Sequence, residues 1–250
     1  MTAGARRARG DDHEQACTMP MGVVVNGLKS SDPRTKVESS VALTRAGATT
    51  QIAAIKPLLA DADPVIAHTA VQSFRHLQAT EASFAILEDR SASEALRNAA
   101  LRVLQTFHEP KVVAGLISRL AAETDAQRRS GLIAALGRLY FAEADWDGNW
   151  WSTRPTTVGP YFSPVAWSES PKIASALDSA LQKAGTADAV AIGRAYTKFA
   201  IPAGDAVMKL INFAEQDPAL LAPVLDCFAA APDVPTNAGP MLAPAATTAP

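Results

Sequence analysis

The sequence predicts an all-α chain: an α-solenoid of stacked helical hairpins, interrupted by one long, ordered Trp/Pro-rich insert. Three observations carry this expectation. Asp-Pro pairs that suit helix starts recur at Asp32-Pro33 and Asp63-Pro64, 31 residues apart. Apolar residues three and four apart follow such starts, as in Ala100, Leu101, Leu104 and Phe107. Hydrophobic residues make up 48% of the 250-residue chain and charged residues 19%, a balance that supplies a core and argues against wholesale disorder.

The repeat sets the order of elements. Aligning the units places Leu43, Phe74, Leu104 and Leu136 in one column, with spacings of 31, 30 and 32. Asp32, Asp63, Ser93 and Asp125 open the units; Lys36, Ala67, Arg97 and Arg129 stand four residues on. Ser39, Ala70, Ala100 and Leu132 form an inner column. An Asp or Ser at the start accepts from a free backbone N–H of the first turn. Proline after it has no N–H to lose and a preset φ. Each first helix is followed by a second apolar one: Ile52 to Leu59, Ser83 to Leu87 and Val112 to Leu120. One hairpin cannot bury both apolar faces alone, so neighbours must stack. The column of Asp32, Lys36, Asp63, Arg97, Asp125 and Arg129 therefore reads as a structural ladder rather than a basic binding stripe.

Period and pattern together resemble the HEAT family in its short form of about 30 residues. The resemblance runs over Ser30 to Tyr140. "VVVNGLKSSD" reads as the closing helix of an incomplete unit before Asp32. After the insert, helices are expected at Ser170–Gly185, in "DAVAIGRAYTKFA", in "GDAVMKLINFAEQ" and in "DPALLAPVLDCFAAA". The organisation expected is a flexible N-terminus over 1–20, repeats over 21–140, the insert over 141–170, further hairpins over 171–231, and a Pro/Ala/Thr-rich disordered tail over 232–250.

The insert, "ADWDGNWWSTRPTTVGPYFSPVAW" from Ala144 to Trp167, holds all four tryptophans: Trp146, Trp150, Trp151 and Trp167. Connections in helical arrays are about 2–8 residues, so so long a loop demands a reason. Its aromatic content opposes disorder, and Pro155, Pro160 and Pro164 stiffen it. Two readings stand side by side. The aromatic rings plug a helix pair, with Arg154 stacked on a ring or paired with Asp145, Asp147 or Glu169. Alternatively, the exposed remainder is a recognition surface, since Trp, Tyr and Arg dominate interface hot spots. The binding residues expected are Trp150, Trp151, Arg154, Tyr161 and Trp167.

The insert carries a narrower resemblance. Trp150, Trp151, Thr153, Arg154, Pro155, Gly159, Pro160, Tyr161, Pro164 and Trp167 match a segment similar to that in the HEAT part of large haem-binding proteins of planctomycetes and verrucomicrobia. Those combine a dehydrogenase-like propeller, HEAT repeats and a c-type cytochrome domain. The resemblance implies a segment of, or derived from, an envelope redox protein, and a periplasmic or envelope location; without it the expected location is cytoplasmic. Phe162 departs from the second tyrosine of that pattern. This chain has no CxxCH and no propeller, so haem is expected only in a parent polypeptide, and no cofactor in this chain.

Other chemistry is sparse. A net charge of −2 argues against a nucleic-acid partner, which needs clustered cations. No run of about 20 apolar residues predicts a membrane span, and no apolar h-region predicts a signal peptide. Cys17 and Cys227 are expected to be unpaired thiols, with Cys227 buried. His13 and Cys17 share a four-residue spacing but lack a third ligand, so no metal site is expected. His68 and His76, eight apart, do not share a helix position, and His108 is expected as a cap or a solvent-facing group. Asp145 and Asp147 read as turn formers rather than a glycosidase pair. The expected function is therefore non-catalytic: binding a protein partner or neighbouring domain. The alternative is a ligand-binding or catalytic accessory, with a carbohydrate or tetrapyrrole site at the insert.

Overall fold

The computed structural model describes residues 20–145, 161, 163–202, 206–216, 221–222 and 224–225. The described residues form an all-α chain of eleven α-helices with one two-stranded ribbon. The helices are α1 (Met21–Gly27), α2 (Pro33–Arg45), α3 (Ile52–Ile55), α4 (Pro64–His76), α5 (Thr80–Glu88), α6 (Glu94–Leu104), α7 (Pro110–Ala122), α8 (Ala126–Leu139), α9 (Ser170–Gln182), α10 (Thr186–Lys198) and α11 (Ala206–Gln216). Strands β1 (Phe141–Glu143) and β2 (Pro164–Ala166) lie between α8 and α9.

The starts of α2, α4, α6 and α8 form for the reason the sequence suggests. Asp32 accepts from the N–H of Thr35 at 3.0 Å, Asp63 from Val65 at 2.8 Å, Ser93 from Leu96 at 3.2 Å and Asp125 from Arg128 at 2.8 Å. Each satisfies an orphan donor of a first helical turn. The Thr35 hydroxyl and backbone N–H hold the Asp32 carboxyl below its ordinary pKa.

The ends of three helices share one closure. After α2, α4 and α10 the chain passes through a left-handed residue: Gly47 (φ 62°), Gln78 (φ 55°) and Ala200 (φ 51°). In each case two crossing backbone bonds follow. The N–H of Ala48, Ala79 and Ile201 reaches back to the carbonyl of Leu43, Phe74 and Tyr196 at 3.0, 2.9 and 2.9 Å. The N–H of Gly47, Gln78 and Ala200 reaches the carbonyl of Thr44, Arg75 and Thr197. This is the Schellman closure, which satisfies helix-end carbonyls and turns the chain back.

Packing follows the alternation of elements. Helix α2 packs on α4, α4 on α6, α6 on α8 and α8 on α10. The intervening elements pack beside them: α5 on α6, α7 on α8 and α9, α9 on α10 and α11. The column of Leu43, Phe74, Leu104 and Leu136 is buried throughout, at no more than 1% exposure. Leu43 to Leu136 thus lie in one hydrophobic core cluster that runs through α10 to Leu210 and Ile211 of α11. The second element of the first unit is not one regular helix. Four α-helical residues are flanked by 3₁₀ turns at Thr49–Gln51 and Lys56–Ala60. Pro57 removes a donor from the ladder there, which shortens the regular helix. The expected helix beyond 216 lies largely outside the described residues, as do the expected N-terminal and C-terminal tails, His13, Cys17 and Cys227.

Candidate functional site

The insert is fastened where α8 ends. A helix C-terminus leaves carbonyls without intrahelical partners. Here four consecutive carbonyls, from Arg138 to Phe141, are each met by a side-chain donor. The Tyr161 hydroxyl donates to the Arg138 carbonyl at 3.2 Å, and the Trp167 indole N–H donates to that of Leu139 at 2.8 Å. The Ser170 hydroxyl donates to the Tyr140 carbonyl at 2.5 Å. His108 Nε2 lies 2.9 Å from the Phe141 carbonyl oxygen. Three of these four donors come from the returning end of the insert and the start of α9.

The ring chemistry fixes the protons. A carbonyl can only accept, so His108 carries its proton on Nε2. That single N–H is shared with the Tyr161 oxygen, 3.0 Å from the same nitrogen, whose own proton goes to the Arg138 carbonyl. The His108 ring stands edge-on to Tyr161 and to Trp167, at centroid distances of 5.7 and 5.3 Å. The Arg138 guanidinium covers the Tyr161 ring at 4.2 Å. Burial pushes the His108 pKa below the ordinary 6.5, with the Arg138 charge adding to the fall against the Phe141 carbonyl. Burial likewise pushes the Tyr161 phenol up. Tyr and Trp suit this corner because each offers an apolar body for the core and one donor for a carbonyl.

The ribbon closes the loop a few residues further out. Phe141 pairs with Ala166, Ala142 with Val165 and Glu143 with Pro164 in antiparallel register. The Ala144 N–H donates to the Ser163 carbonyl at 2.8 Å, and the Ser163 N–H donates to the Glu143 carboxylate. Ser170 also accepts from the Trp167 N–H at 2.9 Å, which joins β2 to α9. Pro164 is tolerated because a two-stranded ribbon has an open edge on each strand.

Of the binding residues expected from the sequence, the structure brings Tyr161 and Trp167 together at this corner. Tyr161 is 9% exposed and Trp167 packs partly buried against the core cluster. Trp150, Trp151 and Arg154 lie outside the described residues, as do Trp146 and Asp147. Asp145 is exposed. Glu169 is buried and takes Lys172 at 2.9 Å. His108 corrects its expectation: it neither caps α7, whose N-cap is Glu109, nor faces solvent, but sits half-buried beneath the insert. No spacing signals this, since its partners are 33 and 53 residues away.

The ladder residues have separate partners. Asp32, Asp63 and Asp125 are occupied by backbone N–H groups. Lys36 pairs instead with Asp61 at 2.8 Å, which holds that carboxyl below its ordinary pKa. Arg97 donates to the Ala92 carbonyl. Arg129 donates to the carbonyls of Leu120 at 2.7 Å and Glu123 at 2.8 Å and pairs with Asp188 of α10 at 2.7 Å. His68 and His76 are exposed on α4. Among the described residues no helix is long and apolar enough to cross a membrane, and no three His, Cys, Asp or Glu side chains are grouped to hold a metal ion.

Comparison with known proteins found no matching family model and no matching curated protein.

Proposed function

We propose that this chain is a non-catalytic scaffold module: an α-solenoid of HEAT-like hairpins that uses its Trp-rich insert to dock a protein partner or a neighbouring domain. The solenoid reading rests on the succession of α2, α4, α6, α8 and α10, and on the same closure recurring after three of these five helices. The docking reading rests above all on the corner at the end of α8. Four donors hold four consecutive carbonyls, and the ribbon pairs 141–143 with 164–166. Ala144 and Ser163 therefore lie side by side beyond the end of α8, and Trp146, Trp150, Trp151 and Arg154 stand between them in the sequence. Tyr161 and Trp167 act as anchors in this reading, and the three other tryptophans supply the contact. Fixing both ends of a recognition loop lowers the ordering cost of binding. The likeness of the insert to that of large haem-binding proteins supports a module of, or derived from, an envelope redox protein.

The test is affinity capture from native-source extract with the full chain and with Trp150→Ala/Trp151→Ala. The reading predicts one protein retained stoichiometrically by the wild type and lost by the variant at unchanged far-UV helicity. Saturable quenching of tryptophan fluorescence by an oligosaccharide or a tetrapyrrole, with no protein retained, would replace it with a small-ligand site.

A further inference from the structure

A second polar feature lies away from the aromatic corner. Helices α5, α6, α7 and α8 line an open pocket of about 200 Å³ with apolar lining from Leu87, Leu101 and Leu132. Four arginines and three glutamates also line it. Two pairs cancel: Arg90 with Glu123 at 2.9 Å, and Arg119 with Glu88. That leaves Arg97, Arg128 and Glu94. Arg97 donates to the Ala92 carbonyl, and Arg128 Nη2 to the Arg90 carbonyl at 3.1 Å. Among the described residues neither arginine has a carboxylate partner, and Arg128 Nη1 is buried without any hydrogen bond. Both are partly buried at the first turns of α6 and α8, which pack on each other. Two partly desolvated guanidinium groups facing one pocket, against one unpaired glutamate, leave an excess of positive charge next to an apolar wall.

We infer that this pocket binds a carboxylate carried on an aliphatic body, with Arg97 and Arg128 gripping the carboxylate and Leu101 and Leu132 receiving the methylenes. Guanidinium forks match carboxylates in shape and charge, and partial burial strengthens that pairing relative to water. A purely inorganic anion would leave the apolar wall unused. The pocket volume suits one acidic side chain or one short aliphatic acid rather than a larger cofactor. The inference does not depend on the role of the Trp-rich insert, which is fastened to the C-terminal end of α8, whereas Arg128, Gly131 and Leu132 lie in its first half.

The experiment titrates the full chain with adipate and, separately, with acetyl-Leu-Glu-Leu-amide, and follows arginine Nε–Hε resonances by NMR. Saturable shifts at Arg97 and Arg128 are expected with at least one probe, and none with acetyl-Leu-Gln-Leu-amide. Tighter binding of adipate assigns a free acid; tighter binding of the peptide assigns an acidic segment of a protein. Arg97→Gln/Arg128→Gln should abolish the accompanying shifts of the Leu101, Gly131 and Leu132 backbone amides, which line the same pocket and stay observable in the variant. Glu94→Gln, at an exposed position, should tighten binding about threefold by removing a like charge. The second variant keeps the test intact where the double variant fails to fold. No saturation with either probe overturns the inference, as does a response that persists in the double variant or an affinity unmoved by Glu94→Gln.

Discussion

Gln78 and Ala200 occupy left-handed backbone in turns where the matching position after α2 is Gly47. A side chain costs about 1–2 kcal/mol in that region, and glycine recovers part of it after its larger entropy loss. Gln78→Gly and Ala200→Gly should each stabilise the fold by about 0.5–1 kcal/mol in urea unfolding, whereas Gly47→Ala should destabilise it by about 1 kcal/mol. His108 gives a second residue-level prediction. Its pKa is lowered by folding, so the unfolded state binds the proton first. Stability is then complete above about 6.5 and falls as the pH drops below it. Protection factors of the amides in 141–145 and 163–167, which divide out the slower intrinsic exchange at lower pH, should fall between pH 7 and pH 5, and His108→Gln, which keeps a donor but does not titrate, should flatten that response. The capping Asp and Ser residues were legible from their place before an apolar periodic run. His108 was not, because its role depends on carbonyls that only the fold brings to it.

At the scale of elements, the end of α8 sets the site. Trp167→Phe keeps most of the ring but leaves the Leu139 carbonyl without its indole donor. The expected loss is about 1–2 kcal/mol, read as a lower unfolding midpoint and faster exchange across the ribbon. Helix α8 also needs Gly137. A Cβ there would stand 2.8 Å from the Phe199 ring and 3.0 Å from the Ala195 Cβ, on the face that meets α10. Gly137→Ala should therefore cost about 1–3 kcal/mol by forcing the two helices apart. Helices α2, α4, α6 and α8 were legible because a capping residue and apolar spacing agree there, with proline at the first position of α2 and α4. The ribbon was not. Phe141–Glu143 and Pro164–Ala166 are three residues each and lack an alternating pattern, so only the closure of the loop reveals them. The first unit's second helix was over-read for the opposite reason. Ile52 to Leu59 has apolar spacing, but Pro57 divides it into an α-turn and a 3₁₀ turn.

For the whole molecule, the repeat column was the most informative feature of the sequence. Leu43, Phe74, Leu104 and Leu136 are buried in one cluster because each occupies the same place on successive packed helices. The insert was legible as an exception to that periodicity, and Tyr161 and Trp167 as parts of it. Their actual duty, donating to helix-end carbonyls, was hidden because donor and acceptor are separated by more than 20 residues. The account makes the helical stack a rigid support and the segment between the ribbon strands its contact element. The most direct measurement is hydrogen–deuterium exchange of the full chain with and without the protein it captures. The account predicts slowed exchange concentrated in 144–167, with α2 and α4 unchanged. Protection confined to other helices, with 144–167 exchanging as in the free chain, would contradict it.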